Sequence, residues 1–264
     1  MNIIIGIAFV IGLSSFVLTV FRDVGMHMIF NPDAFLIVVG GSIIAVFVGF
    51  PFKRIKDTAL DVISAFRAER DRNALTKDIL DVARIYRKAD IRKLERKIQD
   101  IKDDFLKLGV NLLISHRSSE EIRSIMEREM TIRVMHHNFS QNMLKTIARL
   151  TPSFGLAGTV ISLIKMFKNF QSIEVMAPLM AVALMSTFYG VIISNLFMLP
   201  LCAKIKDKAI VSETLMSITI EGIEAMNNRE HHSKIEETIK GYQDLEELTI
   251  MNVGNQYAAN KGVS

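Results

Sequence analysis

The chain has 264 residues, half of them hydrophobic, and a mean hydropathy of +0.28. Its 32 Lys and Arg exceed its 28 Asp and Glu by four charges. That composition is too apolar for an ordinary soluble domain, and the single cysteine, Cys202, excludes a disulfide framework. Basic residues beside membrane spans account for the positive charge, so nucleic acid is not an expected partner.

The chain opens on "IIIGIAFVIGLSSFVLTVF" (3–21), an apolar stretch without a basic leader or a small-residue cleavage site. It reads as a first span rather than a cleaved signal. "AFLIVVGGSIIAVFVGFPF" (34–52) is the second span. Each is long enough for the hydrocarbon core, which about 20 helical residues bridge. In lipid the backbone must satisfy its own hydrogen bonds, so these spans are expected to be helices.

From Lys53 to about Met143 the chain is charged, patterned at helical spacing and free of proline. "SSEEIRSIMEREM" starts with a capping box, Ser118 with Glu121, and its helix is expected to run unbroken into a third span from Leu144 to Phe167. The fourth span runs from Val175 to Ala203. A second capping box, Ser233 with Glu236, opens the tail, and the last residues, "NVGNQYAANKGVS", are expected to fray.

Lys53, Arg54 and Lys56 follow the second span, Lys145 and Arg149 open the third, and Lys204, Lys206 and Lys208 follow the fourth. The positive-inside rule then puts the middle segment, the tail and both termini in the cytoplasm. The expected architecture is an all-α membrane protein. Residues 1–52 hold two transmembrane helices, 53–143 a cytoplasmic helical domain, 144–206 two more transmembrane helices, and 207–264 cytoplasmic helices and tail.

Candidate chemistry is sparse. No phosphate loop, zinc spacing or nucleophilic triad occurs, so neither an enzyme nor a cofactor is expected. The adjacent pairs His136–His137 and His231–His232 point to different faces of a helix, and no metal site is expected there. The third and fourth spans carry small and hydroxyl residues at spacings of three and four. Thr151, Gly155, Gly158 or Thr159, and Ser162 form one stripe; Ala183, Ser186 or Thr187, Gly190 and Ser194 form the other. Two readings are open: close packing of helices, or a polar lining that replaces part of an ion's water shell. Pro152 adds a freed carbonyl one turn earlier. The core of all four spans lacks Asp, Glu and His. An ion path here needs a carboxylate from another chain.

"NPDAFLIVVGGSIIA", "TPSFGLAGTVISLI", "MAVALMSTFYGVIISNLFMLP" and "EGIEAMNNREHHSKIEETI" resemble the corresponding blocks of the flagellar motor stator A-subunit, the MotA/PomA family, in family order. The resemblance implies a homo-oligomer, a ring of five, around two copies of a single-span MotB or PomB subunit that supplies the aspartate. It implies H+ transport, with Na+ possible, in the bacterial inner membrane, and a cytoplasmic push on the rotor protein FliG. Carried over by position, Thr159, Ser186 and Thr187 line the channel near the partner aspartate. Pro152 and Pro200 couple ion flow to motion. In "RKADIRKLE", Arg87 and Glu95, with Lys88 as helper, contact the rotor. Asp90 stands where the family pattern has Gly. Sodium-driven members typically have Thr at the position of Ser186 and proton-driven members Ala, so Ser186 leaves the ion open, with a proton preferred. A TolQ/ExbB-type channel subunit is the alternative within the superfamily, although it has three spans. A passive membrane scaffold is the alternative outside it.

Overall fold

The computed structural model describes residues 30–67, 72–88, 90–115, 117–168, 170 and 173–230, with short islands at 11–12, 14–15, 236–237 and 241. Apart from those islands, the expected first span, the Ser233 capping box and the chain beyond it lie outside the described residues. Every described element is helical, so the all-α expectation holds. Among the described residues, three helices are long and apolar enough to cross a membrane: α1 (Pro32–Gly49), α6 (Ser119–Lys168) and α7 (Ile173–Asn227). Between α1 and α6 lie α2 (Phe52–Ala65), α3 (Arg72–Arg87), α4 (Ile91–Asp100) and α5 (Asp104–Ile114). The chain forms two compact units, one from residues 1–60 and 140–203, the other from 61–139 and 204–264.

In the first unit, the sequence "NPDAF" starts α1 by local chemistry alone. The Asn31 side chain accepts from the backbone N–H of Ala34 at 3.1 Å, Pro32 occupies the first turn, and Asp33 complements the helix dipole. The backbone N–H of Asn31 also donates to the hydroxyl of Tyr189 at 3.0 Å. The ring of Phe35 meets that of Tyr189 edge-on at 5.9 Å. The helix ends at Phe50, which is extended because Pro51 follows it. Leu36–Gly40 in α1 and Ile193–Met198 in α7 are π-helical turns, which periodicity does not reveal. Much of this unit's apolar surface stays outside: Phe47, Leu156, Ile164, Phe167, Leu184 and Phe197 are all exposed. A soluble surface rarely exposes so many large apolar side chains, whereas lipid or partner helices cover them at no such cost. Cys202 is buried, and its thiol donates to the carbonyl of Gln141 at 3.7 Å, as expected of a small hydrophobe with a weak donor.

The second unit has a conventional core. Ile79, Leu94, Phe105, Leu113, Met126 and Ile223 are almost fully buried within one cluster. Gly109 sits where a Cβ would fall 2.7 Å from Ile223 and 2.9 Å from Met126, so any larger residue there would displace those two core side chains. Arg123 bridges three carboxylates, with Nε 2.8 Å from Glu127 and further contacts to Glu224 and Glu221. The hydrogen bond with Glu127, then the charges of Glu224 and Glu221, raise its pKa above the ordinary value. The Ser118 cap is present: its hydroxyl accepts from the Glu121 N–H at 3.3 Å, and α6 then runs without a break for 50 residues, as the sequence implied. At the other end of this unit, α7 closes with a Schellman pattern. Glu230 N–H donates to Ala225 at 2.9 Å and Arg229 N–H to Met226 at 3.0 Å, with Arg229 left-handed at φ 55°. Glycine usually fills that position, so composition gives no hint of it.

Candidate functional site: a hydroxyl-bearing helix pair

The two small-residue stripes divide into two layers. Thr151, Gly155, Gly158 and Ser162 of α6 are buried, as are Ala183, Ser186, Gly190 and Ser194 of α7. These are packing residues. A Cβ on Gly155 would lie 2.7 Å from the Ser186 carbonyl oxygen and 3.2 Å from the Thr187 Cα. A Cβ on Gly190 would lie 2.7 Å from the Thr151 carbonyl oxygen and 3.0 Å from the Pro152 Cα. Backbone therefore meets backbone in both directions, which only glycine permits.

Thr159 and Thr187 sit at the rim of this contact, the first half-buried and the second exposed. Their hydroxyl oxygens are 2.6 Å apart. Thr159 Oγ1 also lies 3.1 Å from the carbonyls of Gly155 and Ala183. A hydroxyl has one proton to donate. When Thr159 gives it to a carbonyl, Thr187 donates to Thr159 and keeps acceptor lone pairs of its own. The rim is thus an uncharged oxygen patch able to receive a proton donor or coordinate a small cation.

Ser186 differs. It is fully buried, its hydroxyl donates to its own helix at Val182 O over 2.8 Å, and its oxygen lies 2.6 Å from where a Gly158 Cβ would be. Its oxygen is engaged within the helix pair rather than displayed beside the two threonines.

Pro152 lies inside α6 and cannot donate to the carbonyl of Ala148. The fold supplies other donors. Ser194 Oγ reaches Ala148 O at 2.7 Å, and Thr151 Oγ1 lies 3.5 Å away. Ser194 belongs to the π-turn Ile193–Met198, which Pro200 follows at the start of the next α-helical stretch. Pro152, Ser194 and the π-turn thus form one connected irregularity across the two helices. The sequence identified the proline and the serine separately but not their bond.

The second unit carries the other expected residues. Arg87 ends α3, Lys88 follows it, Glu95 lies on α4, and all three are exposed. Lys88 lines a cleft of about 320 Å³ with Asp81, Arg84, Asp90, Lys93 and Lys97; Arg87 and Glu95 are not among its lining residues. Asp90 explains its own departure from the glycine pattern. It caps α4, accepting from the Lys93 N–H at 3.0 Å, at φ −89°, where no glycine is needed. Lys97 bridges to Asp78 and Asp81 at 3.6 and 3.7 Å, tying α4 to α3. One expectation fails in this unit. His136 and His137 do not diverge: both Nδ1 atoms approach Asp61. Their side chains bend toward a neighbouring helix that helical spacing cannot locate.

The model of the MotA/TolQ/ExbB proton channel family matches residues 97–218, which include the whole hydroxyl site. Motility protein A of Aquifex aeolicus is 30% identical over 212 residues, covering 78% of this chain and 83% of that one. The chain belongs to the motility protein A family. It is a subunit of an ion-driven flagellar stator. The uncharacterized protein YtxD of Bacillus subtilis is 28% identical, covering 84% of this chain and 82% of the relative. The flagellar MotAB stator complex of Bacillus subtilis matches in structure with a TM-score of 0.75 at 26% identity, covering 86% of this chain and 91% of the other.

Proposed function

We propose that the chain pairs with a single-span, MotB-type subunit and that the Thr159–Thr187 rim forms the wall against which the partner's carboxylate exchanges its ion. The carrying observation is the 2.6 Å hydroxyl pair on an otherwise close-packed, uncharged helix contact. A carboxylic acid can donate to the acceptor lone pairs of Thr187, and the ionised form can accept from the same hydroxyl after rotation. One site therefore serves both protonation states. Pro152, Ser194 and the π-turn give the two helices an irregular, adjustable joint beside that rim, and Pro200 extends it, which suits coupling of ion binding to movement.

The transported ion is a proton. A sodium site needs several exposed oxygens, and Ser186, whose position bears on the ion, has its hydroxyl bonded to Val182 O inside the pair. The reading includes four spans, both termini in the cytoplasm of a bacterial inner-membrane protein, and a homo-oligomer, a ring of five, around the partner. It also includes torque delivered to the rotor protein FliG through Arg87, Lys88 and Glu95. The name of the Bacillus subtilis stator complex supports the partner, and the exposed positions of the three residues support the contact.

The test is proton flux into vesicles holding the chain with its partner, and swimming speed as sodium varies at a fixed proton gradient. Thr187→Val keeps shape and removes the hydroxyl. It should abolish most of the flux while co-purification persists, and speed should not depend on sodium. Full flux through Thr187→Val, or speed that climbs with sodium, overturns the proposal.

A further inference from the structure

Outside the helix pair, the second unit gathers three metal-ligating side chains that the stator function does not use. Asp61 lies on α2, and His136 and His137 are neighbours on α6. Their ligand atoms all lie within 4.8 Å of one another. His136 Nδ1 is 3.3 Å and His137 Nδ1 is 3.6 Å from the same carboxylate oxygen, Asp61 Oδ2. The two rings stand nearly perpendicular, at 87°, with centroids 6.0 Å apart.

These distances fit metal coordination better than direct ion pairing. Charge-assisted N–H···O⁻ bonds are about 2.7–2.9 Å long. In a tetrahedral zinc site with metal–ligand bonds of about 2.0–2.1 Å, neighbouring ligand atoms lie about 3.4 Å apart. Both spacings to Asp61 fall near that edge length. Imidazole nitrogen with one carboxylate is a donor set suited to zinc, cobalt or nickel rather than to magnesium or calcium. The side chains are 40%, 21% and 14% exposed for His136, His137 and Asp61, so solvent reaches the cluster and a water can take the fourth position.

We propose that Asp61, His136 and His137 form a binding site for a divalent first-row transition metal of the zinc class, which fastens α2 to α6. The site is independent of the ion path. Its ligands come from two chain segments separated by about the whole middle of the sequence, so occupancy favours the folded arrangement over the open chain.

The experiment uses the full chain purified in detergent without a polyhistidine tag, and with His231→Asn and His232→Asn introduced so that the other adjacent pair cannot bind. Co²⁺ is the probe, read by its visible d–d absorption, with Zn²⁺ as competitor. The expected result is one Co²⁺ per chain at micromolar concentration, a tetrahedral spectrum, and displacement by Zn²⁺. Removing even an outer-shell partner typically weakens metal binding about 10–100-fold, so Asp61→Asn or His137→Asn should weaken it at least about tenfold, with helicity by circular dichroism unchanged. Absence of stoichiometric Co²⁺ binding by the chain with Asp61, His136 and His137 intact overturns the proposal without reference to any variant. Unaltered affinity in well-folded Asp61→Asn and His137→Asn overturns it equally.

Discussion

Gly155→Ala isolates how close packing positions the hydroxyl pair. The added methyl would sit 2.7 Å from the Ser186 carbonyl oxygen and 3.2 Å from the Thr187 Cα, both backbone atoms that cannot rotate away. An ordinary contact begins near 3.4 Å. The helices must therefore part by 3.4 − 2.7, or 0.7 Å, along that direction. Overpacking of this kind costs about 1–3 kcal/mol. Alanine is the better helix former by about 1 kcal/mol, so any loss reflects the contact and not the helix. Carried to the rim, the displacement stretches the Thr159–Thr187 contact from 2.6 Å toward the limit of a hydrogen bond. Gly40→Ala is the control, because a Cβ there meets nothing nearer than Leu36 at 3.8 Å. The assays are proton flux with the partner present, swimming in soft agar, and thermal unfolding in detergent. Gly155→Ala should lose flux and stability while Gly40→Ala behaves as the parent. If both variants match the parent in all three assays, the packing argument is refuted.

Pro152→Leu restores an N–H that competes with Ser194 for Ala148 O; assembly with the partner should survive and motility should cease, so normal swimming would contradict the joint. Arg87→Glu should impair torque, and reversal of a facing rotor charge should restore part of it; failure of every such charge exchange in tethered-cell rotation would leave Arg87 an ordinary surface residue. Asp90→Ala removes the α4 cap and should cost about 1 kcal/mol in thermal unfolding, while Asp90→Gly should cost only a few tenths. Equal losses in the two variants would show that the cap is not the relevant interaction.

The α1 start at Asn31-Pro32, the Ser118 cap and the unbroken run of α6 into its apolar half were legible because each depends on neighbours within a turn or on uniform hydrophobicity. The stripes were legible as stripes, since helical periodicity fixes which residues share a face. The sequence could not divide them into layers. Ser186 and Thr187 are adjacent and chemically alike, yet one is fully buried and the other exposed. That difference depends on how a second helix lies across the first.

What the sequence determined by itself is therefore what short-range forces decide: helical class, caps, apolar lengths and the absence of an acid within the spans. The tertiary structure alone decided which hydroxyl faces outward, which donor answers the carbonyl freed by Pro152, and that the adjacent His136 and His137 converge on Asp61. Each of these joins residues far apart in the chain. Such a contact depends on the distance between two elements to within about an ångström, and no periodicity along one element encodes that distance.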